Sequence, residues 1–151
     1  LRVRQAFAYC IDRQKIIQTL YDDLSSVPTT FLPPGHPMLT QDLTAIPHDA
    51  AKGNELLTQA GWVDDDNNPT TPRIAQGAAN VKGGTPFEVT YDTTQATARA
   101  KTAELIAADL AECGVKVDVK TLDPSQLYAA GPDGVLFGRS FGHFTRSLRC
   151  K

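Results

Sequence analysis

The chain has 151 residues, 41% of them hydrophobic and 21% charged, with a formal net charge of −2. This is the composition of one globular domain with its own core, and it lacks the basic balance that a nucleic-acid partner requires. No apolar run is long enough to span a bilayer.

The chain opens on "LRVRQAFAYC", in the manner of a helix already under way, and is read as a piece of a longer protein. Val3, Ala6, Phe7, Cys10 and Ile11 recur at helical spacing. Asp12 reads as a break and a new N-cap, its carboxylate accepting from the amides that follow. A second short helix then turns Ile16, Ile17 and Leu20 inward. From Ser25 to Pro47 the periodicity stops. Pro28, Pro33, Pro34, Pro37 and Pro47 remove donors and fix φ, which predicts an ordered loop or extended arm. Such a segment either serves function or wraps the domain through Phe31, Leu32 and Met38.

"HDAAKGNELLTQAGW" is a third helix, with Asp49 as its N-cap. Gly61 at C′ and Trp62 packing back on Leu57 spell a Schellman ending, which makes the sole tryptophan a structural plug. In "VDDDNNPTTPRIAQGAANVKGG", Asp64, Asp66 and Asn68 match the first alternate ligands of an EF-hand loop. Pro69 replaces its glycine and Ala75 its bidentate glutamate, so a solvated turn is expected instead.

Pro86 to Asp123 reads as strand, helix, strand. Phe87, Val89 and Tyr91 alternate with polar neighbours, as do Val115, Val117 and Val119, so each strand has one buried face. Ala103, Ile106, Ala107 and Leu110 form the helical stripe that covers that face. Leu110, Gly114 and Val115 repeat the Schellman grammar. The turn after the first strand, Asp92-Thr93-Thr94, has no glycine, and the chain holds no phosphate-binding motif. Asp123-Pro124 starts a short helix, and "GPDG" leads into a last strand, "VLFGRSFGHF".

Chemistry-bearing residues are sparse. Cys10, Cys113 and Cys150 show no CxxC and no metal spacing. Cys10 and Cys113 are expected as buried free thiols, with a disulfide between them the lesser alternative, and Cys150 as exposed. Ser140 lacks the nucleophile-elbow pattern, and His36, His48 and His143 form no HxH or HxxxH pair. No catalyst, cofactor or metal site is expected.

"VRQAFAYCIDRQKII" resembles the signature of the family-5 extracellular solute-binding proteins, the peptide-, dipeptide- and nickel-type receptors of ABC importers. "FLPPGHP", "DAAKGNELLTQAGW", "AELIAADLAECGVKVDVKTLD" and "GPDGVLFGRSF" resemble further segments of that family, in its order. The resemblance implies an α/β, periplasmic-binding-protein-like (type II) lobe, a mixed sheet with helices packed on it, truncated here. Residues 1–144 would be a partial second lobe, and 145–151 a tail foreign to the family, of cloning or frameshift origin. The whole receptor would bind a solute, foremost an oligopeptide, and present it to an ABC permease. It would work outside the cytoplasm, periplasmic or as a cell-surface lipoprotein, touching the membrane only through a lipid anchor of the parent. Ligand contacts are expected from Arg139, whose guanidinium suits an anionic group, and from Phe31 and His36 on the proline loop. Gly142 stands where relatives commonly carry Asp. Two rivals remain: a sensor or interaction module on the same fold, and a hydrolase whose histidines converge with Ser140 or an acidic residue.

Overall fold

Helix α1 (Arg2–Cys10) buries Ala6 and Cys10 and stops where Ile11 turns extended. Asp12 then caps α2 (Arg13–Tyr21), its side chain accepting from the Lys15 amide, and Ile17 is the buried residue of that helix. These are features of a computed structural model that describes residues 1–30, 32, 35–39, 43–68 and 71–129. Asp49 caps α3 (Ala50–Gln59) in the same way, through the Lys52 amide. Gly61, at φ +86°, donates to the Thr58 carbonyl and sends the chain into β1 (Trp62–Val63).

The segment expected as a solvated turn is partly built into the core. β1 pairs antiparallel with β2 (Ile74–Ala75), and an isolated bridge from Ile74 to Pro86 links that pair to the next strand. Arg73, immediately before β2, is only 7% exposed. Its Nε donates to the Cys113 carbonyl at 2.9 Å, Nη1 to the Trp62 carbonyl at 3.0 Å and Thr58 Oγ1 at 3.1 Å, and Nη2 to Asn54 Oδ1 at 3.0 Å. Burial lowers its pKa, partly offset by the nearby Asp64 charge. A long polar stretch conceals such a residue because buried and solvated arginines share one letter. Nearer its start the stretch is an exposed turn: Asp66 accepts from the Asn68 amide at 2.9 Å and from Thr71 Oγ1.

β3 (Glu88–Thr94) and β4 (Lys116–Leu122) pair in parallel, Glu88 opposite Lys116 through to Thr94 opposite Leu122. Between them runs α4 (Thr97–Glu112), which ends in a full Schellman motif. Gly114 (φ +71°) donates to Ala111, and Val115 to Leu110. Glycine is needed there twice over, because a Cβ would also come within 2.8 Å of the Arg73 side chain. Asp123 caps the short α5 (Pro124–Leu127), and its carboxyl is held below its usual range by hydrogen bonds from the Ser125 hydroxyl and amide.

One core joins these parts. Phe87 stacks on Trp62 with ring centroids 4.0 Å apart, and Phe7, Leu57, Leu110 and Val115 pack around the pair. Trp62 is the plug its position predicted. The thiols, in contrast, are not free: Cys10 and Cys113 form a disulfide, with Cα atoms 6.3 Å apart. Gly53 in α3 makes room, since a Cβ there would collide with Cys10 Sγ. Spacing along the chain could not reveal this pairing, because it depends on α1 meeting the end of α4 across 103 residues. Asp109, 2% exposed on α4, ties α2 to the same core. It accepts from the Asp12 amide at 2.9 Å and from Lys15 Nζ at 3.0 Å, at the positive end of the α2 dipole.

The described parts of the proline-rich segment carry no helix or strand. Met38, one of its expected packing residues, is 79% exposed, so it does not bind the arm to the core. The segment is instead tied near its end: the Arg13 guanidinium donates to the Ile46 carbonyl, and just beyond the segment Asp49 N–H donates to the Tyr9 carbonyl at 2.9 Å. The "GPDG" turn, the last strand and the tail lie outside the described residues.

Candidate functional site

Parallel strands joined by a helix leave a crevice outside their carboxyl ends, because the chain must rise off the sheet to start the crossover. Here β3 runs out at Thr94 and α4 starts at Thr97. Ala96 stands at the N-cap and supplies no side-chain cap, so the first amides of this 16-residue helix get no side-chain partner there, and its positive dipole end is bare. On the far side, β4 ends at Leu122 and Asp123 turns the chain into α5, which packs back toward β3. Leu127 is 4% exposed and pins that return.

The result is a cleft of about 280 Å³. Its floor is the end of β3, from Tyr91 to Thr94. One wall is Arg99 and Thr102 of α4, and the other Leu127 and Tyr128. Arg99 Nη1 bridges the walls, donating to Tyr128 Oη at 2.8 Å and toward Thr94 Oγ1 at 3.4 Å. Thr93 and Thr94 are both buried. Aromatic and aliphatic surface thus meets one guanidinium and the hydroxyls of Thr93, Thr94 and Thr102, with the Asp92 carboxylate on the same floor. Such a set can bind and orient a small polar ligand.

The residues expected to bind ligand fall elsewhere. His36 is half-buried in the proline-rich segment, where its Nδ1 accepts from the Met38 amide at 3.2 Å, and it does not line the cleft. Phe31 and Arg139 lie outside the described residues, as do Ser140 and His143. His48 Nδ1 stands 3.7 Å from Asp12 Oδ2, the α2 cap, with no nucleophile in that pair. Among the described residues no group of three or more His, Cys, Asp or Glu side chains could hold a metal ion, and no helix is long and apolar enough to cross a membrane. The sequence reading missed Arg99, Thr94 and Tyr128 as site residues. Their signal was the polar pair Thr93-Thr94, placed where a parallel strand gives way to a helix.

Comparison with known proteins places the chain in a family. The sequence model described as bacterial extracellular solute-binding proteins, family 5 Middle, matches residues 1–142. The nickel-binding periplasmic protein of Escherichia coli K12 is 29% identical over 147 residues, covering 94% of this chain and 26% of that protein. The di/tripeptide-binding protein 3 of Pseudomonas aeruginosa is 27% identical over 143 residues, covering 91% of this chain and 24% of that protein. The chain therefore spans about a quarter of the length of these curated relatives. The crystal structure of NikA from Brucella suis in complex with Fe(III)-EDTA aligns with a TM-score of 0.70 at 24% identity, covering 85% of this chain and 24% of that one. That likeness shows the fold, a type II periplasmic-binding-protein lobe.

Proposed function

We propose, from the premise that the chain belongs to the bacterial extracellular solute-binding proteins of family 5, that it forms a ligand-facing wall of the second lobe in an oligopeptide receptor serving an ABC importer. The observation that carries this reading is the cleft at the carboxyl end of β3, lined by aromatic rings, hydroxyls and one guanidinium. A peptide presents the matching chemistry: apolar side chains, backbone donors and acceptors, and a charged terminus. The relatives' printed names range from nickel to di- and tripeptides, so membership alone leaves the ligand open. The mixed apolar and polar lining of the cleft supports the peptide reading.

In this reading residues 1–144 belong to a lobe that closes with a second lobe around the solute. Ligand stabilises the closed state, and the permease recognises that state. The chain itself does no chemistry. The Cys10–Cys113 disulfide supports a receptor that matures in an oxidising compartment, outside the cytoplasm. A lipid anchor on the parent protein would then be its hold on the membrane.

Native mass spectrometry of the full-length receptor, purified without denaturation, tests the proposal. Bound mass that leaves on unfolding and fragments as peptide is the expected result. A bare protein that gains no mass from a peptide library would remove the peptide reading.

A further inference from the structure

His48 lies where the proline-rich segment runs into α3, and the chain is fastened on both sides of it. Two residues earlier the Ile46 carbonyl accepts from the Arg13 guanidinium, and one residue later the Asp49 amide donates to the Tyr9 carbonyl at 2.9 Å. The imidazole is thereby set beside Asp12, with Nδ1 3.7 Å from Oδ2 and both side chains partly buried. That separation is too long for a hydrogen bond and short enough for an ion pair. Asp12 Oδ1 is already engaged, capping α2 through the Lys15 amide at 3.0 Å. Among the described residues Asp12 has no ion-pair partner other than His48.

Every element packed around this pair brings charge to it. From α2 come Arg13 and Lys15, yet Lys15 Nζ is held by Asp109 at 3.0 Å and Arg13 by the Ile46 carbonyl. From α4 come Asp109, which also accepts from the Asp12 amide, and Glu112, whose charge reaches Lys15. At the start of α3, Asp49 takes the Lys52 amide, Lys52 Nζ pairs with Glu55, and the Tyr9 phenol of α1 lies near Lys52. The lysines and the arginine keep their charge near neutrality, so His48 is the cation here that switches. An imidazole ordinarily titrates near about 6.5. Neutral, it gives the Asp12 carboxylate no countercharge. Protonated, both ring nitrogens donate, and Nδ1–H meets Oδ2 as a charge-assisted pair.

We infer that His48 and Asp12 form a pH-dependent latch, which fastens the exit of the proline-rich segment to the α1–α2 junction in acid and loosens it above neutrality. A histidine whose charged form gains a partner contributes fully below the ordinary imidazole value of about 6.5, and the contribution fades as pH climbs through the folded-state value. The pair is open to solvent and screened, so its effect is local to the segment it holds. The latch needs no ligand and stands apart from the peptide reading. In a receptor outside the cytoplasm it would follow the pH of the medium.

The reporter is the Asp49 amide, whose bond to Tyr9 sits beside the latch. Hydrogen exchange of the 151-residue chain, corrected for intrinsic rates, is followed by NMR from about pH 5 to about pH 8, together with the His48 ring signal. Protection of Asp49 should be about threefold greater at the acid end, the worth of an exposed ion pair, and should fall in step with the ring signal. His48→Gln and Asp12→Asn should each erase that dependence, and asparagine keeps an oxygen to cap α2. Unchanged exchange at Leu57 and Leu110 would show that the variants keep their fold. Equal protection at both ends of the range in the wild type overturns the latch. A dependence that survives His48→Gln also overturns it, and assigns the effect to another group such as His36. One that survives Asp12→Asn but not His48→Gln overturns the pairing with Asp12.

Discussion

At its amino end the β3–β4 pair is closed by Phe87 stacked on Trp62 and by the buried Arg73; at its carboxyl end the same two strands open onto Thr94, Arg99 and Tyr128. Each end has an arginine, and the two are used in opposite ways. Arg73 donates to four oxygens, on α3, on β1 and on the turn that closes α4, so its fork is spent inside the fold. Arg99 is exposed and donates only from Nη1, to two hydroxyls. Charge alone does not distinguish the two. Satisfied donors within a core make Arg73 structural, whereas Arg99 lines a cleft and spends only Nη1 on protein partners among the described residues.

If the amino end carries the stability, damage there should dominate. The largest loss is expected for the double variant Cys10→Ala/Cys113→Ala. Closing a loop of this length is worth about 4 kcal/mol in the unfolded-state account, and urea midpoints of variant and wild type would measure it. Arg73→Met comes next, at about 3 kcal/mol, because it strips the Cys113 and Trp62 carbonyls of a buried donor. A midpoint unchanged by Arg73→Met would break the comparison at its root.

A smaller effect sharpens it through pH. The hydrogen bond to Asp109 raises the Lys15 pKa above the usual lysine value. A raised folded-state value means that the contribution is full below the ordinary lysine range and fades as pH climbs through the folded-state value. Lys15 is 46% exposed, so screening keeps the effect under about 1 kcal/mol. Alkaline melting curves should fall less steeply for Lys15→Met than for wild type. Smallest of all, Arg99→Gln should shift stability by no more than about 0.5 kcal/mol. A larger loss in the same urea titration would recast Arg99 as a structural residue.

Much of the framework was legible because caps are local. Asp12, Asp49 and Asp123 each accept from an amide two or three residues ahead, and Gly61 and Gly114 take the left-handed turn that a Schellman ending asks of them. Alternation gave β3 and β4 for the same reason: burial on one face repeats every second residue. The disulfide and Arg73 stayed hidden because their partners come from helices and strands distant in sequence. The cleft was half visible. The glycine-free stretch Asp92-Thr93-Thr94 stood out as a turn unlike a phosphate loop, though these residues belong to the strand itself and the turn follows them. What it faces, Arg99 and Tyr128, arrives from the next helix and from the cap after β4, and no pattern within the stretch announces that meeting.

The cross-link also divides the strand pair. Cys113 lies between α4 and β4, so its bond to Cys10 encloses α2, α3, β1, β2, β3 and α4 and leaves β4 outside the ring. α1 precedes its covalent partner by the whole of α2 to α4, so that bond can close only after α4 is complete. β4 follows Cys113 and is laid along β3 on a chain already able to close. The covalent ring therefore secures the closed end of the strand pair and leaves the cleft end to be held by non-covalent contacts alone among the described residues.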